Sequence, residues 1–269
     1  MADDTKEKWL QYSERLGQVA IAILGEADKL TVGAHVKDPK VLALALLCRT
    51  LLNFKGAALM VQSDMVVEAR TLTRCCFENL LWIGELAAKK EGFVQEMVRD
   101  EVSSRQSQGK MILTWGEMLE TPTQHESLKE RLDFLKEMHP KAKPIKFADL
   151  GKTNGIADSY MWFRHLSSDS AHPSMTSLAR HLMRESDGSI MITVVPDVVQ
   201  KDLHDTLQFA NQALLGVCVA TCEIVGVPKA HASLSPLFEE FITLATPEKE
   251  RPPDCAAGCK TTTTLLKPT

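Results

Sequence analysis

The sequence has no phosphate-binding loop, no zinc-ligand signature and no nucleophile elbow, so it offers no motif support for the enzyme classes that these motifs define. It also lacks an excess of basic residues: the formal net charge is -4 and the sequence pI is about 6.1. Because a protein that neutralises DNA phosphates needs concentrated Lys and Arg, we expect no duplex DNA partner.

Long hydrophobic runs are missing too. The longest apolar run, Val41 to Leu52, is interrupted by Arg49, and we expect it to be too short to span a bilayer. The first residues are acidic and carry no apolar core, which argues against a secretory signal. Cys48, Cys75 and Cys76 fall inside helical patterns, where small buried thiols are common. We therefore predict a cytoplasmic protein without a membrane partner.

What the sequence does contain is helical periodicity. Apolar residues recur at spacings of three and four in the first predicted helix, at Trp9, Tyr12, Leu16, Val19 and Ile23. A second helix should begin at Asp38 and Pro39, and a third should run from about Ser63 to Lys90 with Met65, Ala69, Leu72, Cys76, Leu80 and Ile83 as its core stripe. The more charged segments Phe93 to Leu119 and Ser127 to Met138 predict peripheral helices.

The fold class predicted from these patterns is an all-α helical bundle with one small β-hairpin near residues 178–196. The turn residues Asp187 and Gly188 precede the β-rich run SIMITVV, which favours the hairpin. A long helix should follow, from about Asp197 to Val225. We predict one helical domain over residues 1–246, with its core at 41–226, and a flexible tail over 247–269, where Cys255 and Cys259 offer only two metal ligands.

Charged residues occupy the second face of the predicted third helix. Arg70, Arg74 and Glu78 follow each other at four-residue spacing, roughly opposite the stripe that contains Met65. A helix that is apolar on two sides is usually central, so these charges must be paired. One interpretation is an internal Arg74–Glu78 ion pair; the other makes Arg74 or Arg70 an anion-binding group. In either case we predict that Arg74 and Glu78 lie near His172 in the fold.

The segment YMWFRHLSSDSAHPS, Tyr160 to Ser174, concentrates polar residues in an apolar helical pattern. At 100° per residue, His165, Asp169 and His172 fall on one face of a helix. Such a cluster has three interpretations, which the sequence leaves open.

The first interpretation is a structural network in which Asp169 accepts hydrogen bonds from both imidazoles while Ser167 and Ser168 satisfy nearby backbone groups. The second is general acid and base catalysis at a phosphate, by an imidazole that Asp169 orients, with Arg164 beside it. The third is a transition-metal site, for which the ligand set is incomplete. We expect no metal and no cofactor. His181 could add a third imidazole.

These residues carry a family resemblance. The Arg-rich helix ending in a Glu, followed by a Tyr, a Ser and a His-Pro pair, resembles a bacterial domain-of-unknown-function family over roughly Val41 to Gly226. The positions that match its pattern are Arg70 or Arg74, Glu78, Tyr160, Ser167, His172 and Pro173. This resemblance implies a helical fold and leaves the function open.

The helical architecture also resembles, distantly, the HEPN proteins, many of which are metal-independent ribonucleases. In those enzymes an Arg and a His separated by four to six residues cleave RNA, whereas seven residues separate Arg164 from His172 here. Arg74 could supply the missing cation. This analogy rests on the fold, and fold does not imply function.

Two function classes follow. The first is an RNA- or nucleotide-directed phosphodiester-cleaving protein. Its catalytic candidates are His172, Asp169, His165, Arg74 and Arg164, and its ligand-binding candidates are Arg70, Glu78, Tyr160, Ser167 and Ser168. The second is a noncatalytic helical binding or regulatory module whose polar cluster is structural. The sequence leaves the oligomeric state open, with a homodimer among the options.

Overall fold

Ten helices and one hairpin form the part of the chain that the computed structural model describes, which is residues 2–118, 125–152, 155–194 and 199–246. The helices are α1 Ala2–Ala27, α2 Pro39–Gln62, α3 Val66–Lys89, α4 Glu91–Met118, α5 His125–Met138, α6 Ala157–Leu166, α7 Met175–Ala179, α8 Gln200–Val225, α9 Pro228–Ala232 and α10 Leu234–Ala245. The strands are β1 Leu182–Arg184 and β2 Ile190–Ile192. The predicted all-α bundle with one small hairpin is confirmed.

Local sequence signals set several helix ends. The Asp38 side chain accepts a hydrogen bond from the Lys40 backbone N–H at 2.8 Å, and Pro39 occupies the first turn of α2, as the sequence predicts. At the other end of the bundle, α8 stops at Gly226, whose φ of 83° is the left-handed conformation that glycine adopts without strain.

Helices α1, α2, α3 and α8 enclose the core. The apolar stripe predicted for the first helix is largely buried, with Trp9, Tyr12, Leu16 and Ile23 fully inaccessible. Two aromatic side chains of α1 also form hydrogen bonds to other helices of the bundle. The Trp9 indole N–H donates to Nε2 of His204 at 2.6 Å, and the Tyr12 hydroxyl donates to the carbonyl of Leu237 at 3.0 Å. These bonds tie α1 to α8 and α10.

Two of the central helices are long and apolar enough to cross a membrane by length and composition alone. They are α2 and α8, with mean hydropathies of 1.5 and 1.3 over the most apolar stretch of each. We expected the apolar run from Val41 to Leu52 to be too short to span a bilayer. That expectation is wrong, because α2 continues to Gln62 and is long enough. Both helices pack against α3 and against each other, and about half of the α8 stretch is buried.

The structure corrects details of the third helix. It begins at Val66, so Met65 precedes it and is 42% exposed, and Leu72 is only half-buried. Ala69, Cys76, Leu80 and Ile83 are buried as predicted.

Elsewhere the short helix α9 was not predicted. Helices α4 and α5 pack against each other at the periphery, as their charge indicates. The predicted tail, with Cys255 and Cys259, lies outside the described residues.

Candidate functional site

Four charged side chains from three parts of the chain form a closed network, which we name the charge ring: Arg70, Asp169, Arg180 and Asp202. Arg70 on α3 is 4% exposed and donates to the carboxylates of Asp169 and, at 3.1 Å, Asp202. Arg180 donates to Asp169 at 2.9 and 3.0 Å and to Asp202 at 2.7 Å. Each cation therefore bonds both anions, and the ring carries no net charge.

A widened helical turn places Asp169 in the ring. After α6, residues Ser167–Ala171 form a π-helical turn, in which the His172 backbone N–H donates to the carbonyl of Ser167 at 3.1 Å. The Ser167 and Ser170 hydroxyls donate to the carbonyls of Phe163 and Leu166, at 2.7 and 2.8 Å. Bonds of this kind bend and loosen a helix. The wider turn directs Asp169 toward α3.

The ring shifts the pKa values of Asp169 and Arg180. Burial would raise the pKa of Asp169, but hydrogen bonds and charges from Arg180 and Arg70 outweigh burial and hold that pKa below its usual range. Burial would likewise lower the pKa of Arg180, yet its bonds to Asp202 and Asp169 raise it. Both directions favour the charged forms of Asp169 and Arg180.

Arg74 lies one turn after Arg70 and contacts the same segment. Its Nε donates to the Ser167 hydroxyl at 3.0 Å, and its Nη1 donates to the Glu78 carboxylate at 3.1 Å. The guanidinium carbon is 4.5 Å from the centre of the Phe163 ring. Because 23% of the Arg74 side chain remains exposed, this cation is anchored but still open to solvent. The predicted Arg74–Glu78 ion pair is confirmed.

The imidazoles lie outside the ring. His165 and His172 are both exposed, and so is Arg164. In the described residues, the Asp169 oxygens accept from the two arginines rather than from either imidazole. The predicted pairing of Asp169 with His165 and His172 is therefore wrong, because the π-helical turn breaks the 100° progression on which it depended.

The structure still brings α3 and the predicted polar segment together. Arg70 bonds Asp169 and Arg74 bonds Ser167, while the Ser167 carbonyl accepts from the backbone of His172. The arginines of α3 thus contact the segment that ends at His172, as expected.

The remaining candidate site residues make fewer contacts. Tyr160 is half-buried and its ring stacks near Phe163, with centroids 6.2 Å apart. Ser168 is exposed, and its carbonyl accepts from the Ser174 hydroxyl. His181 is half-buried, with Nδ1 3.1 Å from the Thr193 carbonyl oxygen at the base of the hairpin. None of these contacts assigns a catalytic role.

Arg180, Asp202 and Thr206 are functional-site residues that were not predicted from the sequence. Thr206 accepts from Arg70 Nε at 3.2 Å and completes the surroundings of that guanidinium. A weak signal existed, since buried charges need partners and Asp202 and Thr206 share one face of a helix at four-residue spacing.

No group of three His, Cys, Asp or Glu side chains in the described part of the chain is arranged to hold a metal ion. A cavity of about 560 Å³ lies elsewhere, between α3, α6, α8 and α10. Its walls are largely apolar, and neither the charge ring nor His172 lines it. The polar site is therefore separate from this cavity.

Comparisons with known proteins place the site in a family context. Residues 40–190, more than half of the chain, match the model of DUF5677, described as a family of unknown function. This match covers Arg70, Arg74 and the whole Tyr160 to Ser174 segment, and it ends before α8, which supplies Asp202. Searches of curated proteins and of solved structures found no match.

Proposed function

The chain belongs to DUF5677, a family of unknown function, and we propose that it is an RNA- or nucleotide-directed protein that cleaves phosphodiesters without a metal ion. One observation carries this proposal: a solvent-accessible guanidinium, that of Arg74, is fixed to the segment that presents the exposed imidazole of His172. Such a reaction needs a cation that stabilises the charge developing on the phosphate and a group that transfers a proton.

The proposed chemistry needs no oxidant and no co-reactant. The ribose 2′-hydroxyl of the substrate attacks the adjacent phosphorus, and the bond from phosphorus to the 5′-oxygen of the next nucleotide breaks. A base accepts the 2′-hydroxyl proton and an acid supplies one to the leaving oxygen, which gives a 2′,3′-cyclic phosphate and a free 5′-hydroxyl. His172 is our candidate for one of these proton transfers, and His165 is the candidate for the other.

The arginines divide into two groups under this proposal. Arg74 and the exposed Arg164 stabilise the charge that develops on the phosphate oxygens. Arg70 is saturated by two carboxylates and Thr206, so it is a positioning residue. Asp169 is a positioning residue too, because it anchors the π-helical turn that leads to His172.

The experiment measures cleavage of mixed single-stranded RNA by the purified protein in the presence of a chelator. We expect wild type to produce cyclic-phosphate ends, and His172→Ala and Arg74→Ala to lose at least tenfold in rate, within the range typical of acid-base and charge-stabilising groups. His231→Ala is the matched control, since His231 is exposed on α9, near the end of α8 that lies farthest from Asp202.

Two outcomes would contradict the proposal. Equal cleavage by wild type and both site variants would mean that the activity resides elsewhere or in a contaminant, and would contradict the proposal. Cleavage that the chelator abolishes would contradict its metal-independent chemistry.

A noncatalytic binding or regulatory module is the second candidate function. The specific observation in its favour is that the charge ring is electrically balanced and that each of its two cations bonds both of its anions, as in a structural network. If that function is correct, wild type and His172→Ala should both leave RNA and nucleotides intact. In that case RNA binding, followed by fluorescence anisotropy, should weaken in Arg74→Ala and Arg164→Ala without any cleavage.

A further inference from the structure

The hairpin exposes apolar side chains on a strand edge that pairs with no other strand in the described part of the chain. Ile190 and Ile192 are 62% and 81% exposed, and Leu182, which lies opposite Ile192, is 45% exposed. Because side chains alternate along a strand, these three share one face of the hairpin. An isolated two-stranded hairpin is marginally stable in water, so an additional strand would complete the sheet.

The hydrogen bonds of the hairpin show which backbone groups of β2 are unpaired among the residues that the structure describes. The Thr193 N–H donates to the His181 carbonyl and the Glu185 N–H donates to the Ser189 carbonyl, both at 2.9 Å. In an antiparallel ladder the bonded pairs alternate, so Met183 and Met191 also face each other through their backbone groups. The backbone N–H and C=O groups of Ile190 and Ile192 consequently point away from β1.

We infer that β2 pairs antiparallel with β2 of a second copy of this chain, about a two-fold axis at Met191. This register sets Ile190 of one copy opposite Ile192 of the other, so that all four outward backbone groups of each strand are satisfied. The β2 edge is self-complementary because it is apolar and uncharged. The outer edge of β1 carries Arg184, and such a charge opposes pairing with its own copy.

Exposed apolar side chains are concentrated in and around the hairpin. Eight of the 23 exposed large apolar side chains in the described residues fall between Met175 and Val199: Met175, Leu178, Leu182, Ile190, Met191, Ile192, Val194 and Val199. Scaled by their exposed fractions, they offer on the order of 400 Å² of apolar side-chain surface. One side of a standard interface buries about 800 Å², somewhat more than half of it apolar. Pairing through β2 would use the part of this surface that holds Leu182, Ile190 and Ile192, because Met191 points to the opposite face of the hairpin.

The first test measures the mass of the full chain in solution by light scattering over a wide concentration range. We expect wild type to approach twice the chain mass of 29.8 kDa, and Ile192→Lys to remain at the monomer mass. Because Ile192 is exposed, the Lys variant should keep the wild-type circular dichroism. Leu52→Lys, at a 71% exposed position on α2, is the matched control and should dimerise like wild type.

A second variant tests the register. Met191→Cys places two thiols across the two-fold axis at a non-bonded pair, where Cα atoms lie about 4.5 Å apart, within the range that a disulfide spans. Mild oxidation should then crosslink two chains, whereas Leu52→Cys should not crosslink above wild type.

A wild-type chain that stays monomeric at every concentration would overturn the inference. So would dimers that persist in Ile192→Lys, or flotation of the monomer with neutral phospholipid vesicles that Ile192→Lys abolishes. The proposed cleavage activity plays no part in these measurements.

Discussion

Arg74 donates from Nε to the hydroxyl of Ser167 at 3.0 Å, although 93 positions separate the two residues in sequence. Arg70, one turn earlier on α3, bonds Asp169. Two consecutive turns of α3 therefore contact two residues of one π-helical turn. The same surface of α3 therefore supplies a closed charge ring and, one turn later, a cation open to solvent. The predictions below separate these two roles.

The charge ring should be essential for stability. Arg70→Met would leave Asp169 and Asp202 buried or half-buried with one cation between them, so we expect a loss of about 3 to 5 kcal/mol in the free energy of unfolding. Arg105→Met is the control, because its pair with Glu101 on α4 is exposed on both sides, and it should cost less than about 1 kcal/mol. Urea unfolding measures both values, and similar losses would contradict a special role of the ring.

The stability that Asp169 provides should depend on pH. Its pKa is lower in the folded protein than in the unfolded chain, so between these values the unfolded chain binds more protons and stability falls with decreasing pH. The difference in free energy of unfolding between wild type and Asp169→Asn should have its maximum value above about pH 4, the usual carboxyl pKa. It should shrink as the pH falls through the pKa of Asp169 in the folded protein. Urea unfolding of both proteins across this range tests it. A difference that persists unchanged into strong acid would count against the assignment.

Replacing His172 should hardly affect stability. The side chain is exposed, and the hydrogen bonds described for His172 involve its backbone, which an alanine retains. We therefore expect His172→Ala to change the free energy of unfolding by less than about 0.5 kcal/mol. Thermal unfolding, with Asp169→Ala as the destabilised reference, provides the measurement. A loss above about 1 kcal/mol would show that the imidazole is structural.

Cysteine reactivity should follow burial. Cys48 is exposed, whereas Cys76 and Cys218 are buried, and burial raises the pKa of both buried thiols. Burial also raises the pKa of Cys222, to about 11. Iodoacetamide at neutral pH should therefore modify Cys48 well before these three, as peptide mass spectrometry can follow. In denaturant the difference should vanish, and early labelling of Cys218 in the native protein would contradict the packing of α8.

Much of the fold follows from local patterns. Helices α1, α2 and α3 were predictable because their apolar residues recur at helical spacing and because Asp38 and Pro39 mark a helix start. The burial of Arg70 was predictable for the same reason, since α3 is apolar on two sides. Helix α9 was missed because a helix of five residues is too short to show a period.

The candidate site was only partly predictable. The contact between α3 and the segment ending at His172 followed from the need to pair buried charges. The partners of Asp169 did not, because a π-helical turn changes the direction of every later side chain and leaves no periodic trace in sequence. Arg180 and Asp202 reach the ring through tertiary folding, and the spacing of Asp202 and Thr206 places them on one helix face without identifying Arg70 as their partner.

The charge ring also constrains the length of the chain segment between Asp169 and Arg180. Asp169 is bonded to Arg70 and to Arg180, and Arg180 is also bonded to Asp202, so residues 170–179 form a span whose two ends are both clamped. An added or deleted residue in that span would have to be absorbed by breaking a clamp, and the damage would then appear in the attachment of this segment to α3 or to α8. The turn at Gly188, exposed at the tip of the hairpin, has no such constraint and should accept inserted residues.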